Sequence, residues 1–132
     1  MAYDGDGRYL EGFSAAADLS SSLYYVVRST GGMTVALCTS ATGGISRAKG
    51  VLVNEPASGQ EATVRTYGFS KAVAGGAITA GDLIVSSTAG TVITTTGTTG
   101  QWVLGWADTA STASGQTISI FIDPYIFMGS TA

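Results

Sequence analysis

The sequence has no histidine, one cysteine, two prolines and few charges of either sign, and each shortage closes off a class of function. Histidine is the commonest general base and the commonest zinc ligand. Its absence removes the serine and cysteine triads that depend on it, and most zinc chemistry with them. The single cysteine, Cys38, has no partner for an intrachain disulfide, and its place in the apolar run Met33-Thr34-Val35-Ala36-Leu37-Cys38 reads as a buried thiol. Six Lys and Arg against nine Asp and Glu give a formal net charge of -3 and a pI near 4.5, the wrong sign for a surface that tracks phosphates. Arg47 and Lys49 are the nearest approach to a basic cluster, and two charges amount to a solvated loop. No nucleic-acid partner is expected. No run of about 18 apolar residues occurs, so no helix is expected to span a bilayer. The first residues also lack the basic start and apolar core of a signal peptide. The expectation is a soluble chain with no membrane partner.

Charge is the shortage with the widest consequence. Only 11% of the residues are charged, against about 25% in an average soluble domain, while 45% are hydrophobic. Disorder goes with low hydrophobicity and high net charge, and the mean hydropathy here is +0.30, so the chain is expected to fold. At 132 residues it is long enough for one domain that buries about two-thirds of its unfolded surface. A monomer alone in water relies on a mixed, well-charged exterior to stay soluble and to limit apolar patches. This chain has little of that protection, so partner subunits are expected to cover much of it.

What is present alternates with period two. Ile118, Ile120 and Ile122 alternate with Thr117, Ser119, Phe121 and Asp123, and Trp102, Leu104 and Trp106 alternate with Val103, Gly105 and Ala107, as in half-buried strands. Further β-branched or aromatic runs cover residues 23–28, 33–38, 50–53, 62–69, 83–86 and 91–95. Turn-forming groups such as Thr30-Gly31-Gly32, Pro56-Ala57-Ser58-Gly59, Ala80-Gly81-Asp82 and Ala89-Gly90 separate them. The predicted fold class is all-β, a single small antiparallel β-barrel or sandwich. One local exception is residues 14–19, where Ser14 could cap a short helical turn.

Residues 1–21 carry Asp4, Asp6, Arg8, Glu11 and Asp18 among glycines and alanines, and are read as an extended N-terminal arm. Residues 22–123 form the β-domain. Residues 124–132 are read as a C-terminal tail, because Pro124 forbids continued central pairing. Tyr125, Ile126, Phe127 and Met128 are then apolar side chains that need cover.

Several patterns imitate chemistry. Scattered carboxylates form no catalytic pair, so no enzyme is expected. Asp4-Gly5-Asp6-Gly7 resembles the start of a calcium loop, which needs oxygen ligands at positions one, three, five and twelve, but Arg8 and Ala15 stand at the last two. Gly43-Gly44 and Gly75-Gly76 lack the following Lys-Ser/Thr or helix start of a phosphate cradle. Ala80-Gly81-Asp82 is like the turn of biotin and lipoyl carriers, but Lys71 lacks the flanking methionines such a carrier shows. No metal and no cofactor are expected. Trp102 and Trp106 could form a sugar-stacking platform. Facing one side of a strand, they are read instead as core.

One stretch goes beyond composition. Gly50-Val51-Leu52-Val53-Asn54-Glu55-Pro56-Ala57-Ser58-Gly59-Gln60-Glu61-Ala62-Thr63-Val64-Arg65-Thr66-Tyr67-Gly68, then Ser70-Lys71-Ala72-Val73-Ala74-Gly75-Gly76-Ala77-Ile78-Thr79-Ala80-Gly81-Asp82-Leu83, precede Leu104-Gly105-Trp106-Ala107 and the Ile118, Ile120, Ile122 series. Over residues 45–123 this resembles the small head decoration, or capsid cement, proteins of tailed phages. The resemblance implies a homotrimer on the outer surface of the phage head, made in the host cytoplasm, that clamps neighbouring subunits of the major capsid protein. It carries no catalytic site. On that reading Tyr3, Arg8, Tyr9, Leu10 and Phe13 of the arm are expected to reach the capsid by backbone pairing. Tyr125, Ile126, Phe127 and Met128 are expected to pack on an adjacent subunit. The alternative is a carbohydrate-binding or adhesion module that uses the exposed faces of Trp102 and Trp106.

Overall fold

β-Branched and aromatic residues separated by glycine turns give the chain short strands. The computed structural model describes residues 7–39, 48–97 and 101–126. Among these lie β1 (Gly7–Ala15), β2 (Val26–Gly31), β3 (Thr34–Leu37), β4 (Ala48–Leu52), β5 (Glu61–Val73), β6 (Leu83–Ser86), β7 (Val92–Thr94), β8 (Trp102–Ala107) and β9 (Thr117–Ile126). They form one sheet in the order β1-β3-β2-β4-β5-β9-β8-β6-β7, and a further pairing of β1 with β5 closes the first five strands into a ring. The fold is therefore all-β, a closed five-stranded barrel from which four more strands continue. All pairings but β1 with β3 are antiparallel, apart from an isolated parallel bridge between Ala74 and Val92 that brings the end of β5 back to β7.

Two cores follow from this plan. Inside the barrel, Phe13, Ala15, Leu19, Val27, Val35, Leu52, Ala62 and Val64 pack together, with half-buried Leu37 against them. The second core joins the outside of the barrel, through Val26, Ala48 and Val51, to the inner face of the continuing sheet, through Ala72, Ile84, Leu104, Ala107, Ile118, Ile120 and Ile122. Cys38 belongs to this second core and is fully buried. β5 serves both: Ala62 and Val64 point into the barrel, while Ala72 points into the second core. The hand-over comes at Gly68, whose φ of 96° only glycine adopts readily, and which pairs with Gly7 in β1 and Ile122 in β9.

Three sequence readings need correction. The division at residue 21 does not separate an arm from the domain, because residues 7–15 are the strand that closes the barrel. Phe13, Ala15 and Leu19 are 5%, 3% and 3% exposed. Period two was hidden there by register shifts between Arg8 and Tyr9 and between Leu10 and Phe13. Ser14 starts no helical turn; it is paired with Thr34 on one side and Glu61 on the other. Finally, β9 runs on through Pro124 to Ile126. Pairing of β9 with β5 reaches only Ile122, and pairing with β8 slips between Ile122 and Tyr125, so the proline occupies a bulge where no ladder donor is required.

Candidate docking surface

The outer face of the continuing sheet carries the feature that solubility alone does not explain. Along β5 the outward side chains after the barrel are Tyr67, Phe69 and Lys71, all exposed. Strand pairing sets Phe69 directly opposite Phe121 in β9, Phe121 opposite Trp106 in β8, and Trp106 opposite Leu83 in β6. One apolar row thus crosses four strands. Its rings touch: Trp106 stacks on Phe121 with centroids 5.4 Å apart and planes 13° from parallel, and Phe69 meets Phe121 edge-on at 5.0 Å. Tyr67 meets Phe121 edge-on at 5.3 Å, and Phe69 meets Trp106 at 6.3 Å. These offset and edge-to-face contacts fix the rings against each other. The patch nevertheless stays wet, with Tyr67 47%, Phe69 43% and Trp106 37% exposed.

The backbone beneath it is held closely. At Gly105 an added Cβ would lie 1.8 Å from the Phe121 carbonyl oxygen, so only glycine lets β8 approach β9 here. Pairing of β8 with β6 slips by one residue at Leu104, between Gly105 and Val103. That bulge breaks the alternation across the two tryptophans. Leu104 therefore turns into the core while Trp106 turns out, which corrects the expectation that both tryptophans are core residues on one face. Trp102 is half-buried.

The other expected contact residues are differently placed. Phe13 lies in the barrel core with Lys49 Nζ 5.5 Å from its ring centroid, so it is no capsid anchor. The backbones of Arg8, Tyr9 and Leu10 are paired along one edge with Tyr67, Arg65 and Val64 of β5. Tyr125 and Ile126 pair with Val103 and Trp102. Tyr3, Phe127 and Met128 lie outside the described residues, as do the calcium-like Asp4 and Asp6. Sequence reasoning missed Tyr67, Phe69 and Phe121, although a signal was present. If the isoleucines of β9 face the core, Phe121 between them must face out.

Among the described residues no three of His, Cys, Asp and Glu gather as a metal site would require. Asp18 is the carboxyl of a surface turn. Side-chain and backbone hydrogen bonds from Ser20 hold it below the usual carboxylate range.

Residues 14–122 match the phage cement protein family, a span that takes in the whole second core, the barrel core except Phe13, and the whole aromatic row. The chain belongs to the phage cement proteins. Membership makes it a structural protein of the bacteriophage capsid, in a family that is not an enzyme class. The N base of the head fiber gp8.5 of bacteriophage phi29 shares the fold. The two superpose with a TM-score of 0.63 over 89% of this chain and 94% of that one, at 20% sequence identity. No curated protein matches the sequence.

Proposed function

We propose that this cement protein binds the outer surface of the phage head as a homotrimer and clamps neighbouring subunits of the major capsid protein. The observation that supports this reading is the apolar row formed by exposed Phe69 and Trp106 with half-buried Phe121 and Leu83 across β5, β9, β8 and β6. Covering such surface yields about 25 cal/mol per Å², and aromatic side chains are the groups on which interface energy concentrates. Because the row rides on a sheet backed by a packed core, little ordering is required when a partner arrives. In the same reading, residues 1–6 with Tyr3 extend the capsid contact, and Tyr125, Ile126, Phe127 and Met128 pack on an adjacent copy within the trimer.

The test uses heads assembled without the protein. Wild-type chain is expected to co-sediment with them and to add density at three-fold positions in electron micrographs. The double variant Phe69→Ser, Trp106→Ser is expected to stay in the supernatant. Wild-type protein that leaves the heads bare would overturn the reading. Head-bound protein that crosslinks only as single chains would remove the trimer from it.

A further inference from the structure

Away from the aromatic row, β2 and β3 are joined by a two-residue turn, Gly32-Met33, whose φ values are 59° and 64°. Two positive values in succession are those of a type I′ hairpin turn, in which glycine is the favoured second residue. Here a methionine stands in that place. A bulky side chain is strained in the left-handed region, and strain of this kind persists where the surrounding structure imposes it and function retains it.

The turn is braced from below. The Met33 carbonyl accepts a hydrogen bond from the Ser14 N–H of β1 at 2.8 Å, Thr34 Oγ1 donates to the Gly31 carbonyl at 2.6 Å, and the Thr30 and Thr34 hydroxyls are hydrogen-bonded to each other. The backbone is thus fixed while the side chain stays uncovered. Residues 29–33 are all exposed, and Met33, at 54%, is the most exposed large apolar residue among those described. A Cβ added at Gly31 or Gly32 would meet nothing within 4 Å, so the tip stands clear of the rest of the chain. No residue from Ser29 to Thr34 carries a charge. Neither the core nor solubility accounts for a methionine here, and glycine would make the same turn without strain.

We infer that the Met33 tip is a second point of contact with the phage capsid, seating its side chain in an apolar recess of the major capsid protein apart from the surface that meets the aromatic row. The inference rests on the reading of the chain as head cement, and the family to which the chain belongs supplies the partner. Methionine suits the task, because an unbranched, polarizable side chain fills irregular gaps without demanding one shape. Two contacts placed apart do what one cannot. Ser14, bonded to Met33, is paired with Glu61 at the start of β5, and Phe69 stands eight residues further along that strand, a path of up to about 26 Å. A chain held by one face can pivot on it. Held also by the tip, it has one orientation, and the second contact forms at the high effective concentration set by the first.

The experiment uses heads assembled without the protein and follows both the methionine and the binding. Peroxide is expected to oxidise Met33 of the free chain to the sulfoxide, and docking onto heads to slow that reaction about tenfold, as read by peptide mass spectrometry. Met33→Gly is expected to weaken head binding about tenfold, the loss of one buried side chain. Its thermal midpoint is expected at or above the wild-type value, because glycine relieves the strained turn. Met33→Leu keeps the apolar bulk and is expected to bind within about twofold of wild type. Wild-type protein that binds heads while Met33→Gly binds equally well would overturn the tip contact alone. So would equal rates of Met33 oxidation on and off the heads. Photo-methionine at position 33 that couples only to other copies of this chain would overturn the capsid as its partner. Failure of the wild type to bind heads would overturn the cement reading and this inference together.

Discussion

β5 carries two different proteins along one backbone. In its barrel half the inward residues are Ala62 and Val64 and the outward ones are Glu61, Thr63 and Arg65, the half-buried alternation of a sheet with one wet face. In its second half, inward Ser70 and Ala72 are still buried, but the outward residues become Tyr67, Phe69 and Lys71. Folding requires one apolar face. A second apolar face on the same strands, joined by Phe121 and Trp106, adds nothing to the internal core and is retained for contact with something else. The barrel half explains how the chain folds, and the continuing sheet explains what it can touch.

That contrast can be broken most severely from the amino terminus. Deleting residues 1–20 removes β1, with Phe13 and Ala15, and the following Leu19, from the barrel. Large core truncations each cost about 2–5 kcal/mol, so the product is expected to lose its cooperative thermal transition. A deletion variant that still melts cooperatively would show that β1 is dispensable and restore the arm. Next in size, Ile120→Ala in the second core and Leu52→Ala in the barrel are each expected to lose about 2–5 kcal/mol in urea unfolding, since both side chains are 0% exposed. Closely similar losses would show two cores of one cooperative unit, and separate transitions would show two units. Gly105→Ala places a methyl group against the Phe121 carbonyl and is expected to cost about 1–3 kcal/mol, with reduced tryptophan stacking visible in near-ultraviolet circular dichroism.

Smaller still is the expected stability effect of Phe69→Ser with Trp106→Ser, about 1 kcal/mol or less because the rings are partly wet, against a loss of head binding that is nearly complete. A stability loss as large as that of Ile120→Ala would place the row with the core and end the distinction drawn here. Smallest is Asp18→Asn. The folded carboxyl titrates below its unfolded value, so its contribution is present above about pH 4 and fades as the pH falls through the lowered value. Comparing acid unfolding curves of wild type and variant is expected to show a stability difference that is present near neutral pH and vanishes as the pH falls through the lowered value. A difference that persists unchanged at the acid end would require another cause.

Much of this was legible in the sequence wherever strands kept a regular period. β6 and β8 begin and end where the β-branched and aromatic runs do, and β9 was recognisable by its three isoleucines. The failures have a common physical origin in bulges. In β1 the register shifts twice within a few residues, so Leu10 and Phe13 show no alternation to a reader of the sequence. At Leu104 a bulge puts Leu104 and Trp106 on opposite sides, although they sit two residues apart. At Pro124 a bulge lets a strand pass a residue that ordinarily ends one. The docking surface was half legible: its aromatic residues stood in plain alternation, but the face they occupy depends on which neighbours the core claims.

Ring closure has a further consequence for a chain with so little charge. Proteins commonly keep strangers from adding to their sheets by placing lysines along open borders, and here few are available. Instead β1 pairs along its length with β5 and, at Ser14 and Ala15, with β3 on its other side, and β7 is three residues long with the Gly75 N–H already bound to its Val92 carbonyl at 2.8 Å. Where ring closure and the short β7 cover the backbone, growth by strand addition, the route to fibres, has little to start from. In the proposed arrangement, copies on one shell would meet through their faces, which allows dense coverage of a surface without fusion of one molecule into the next.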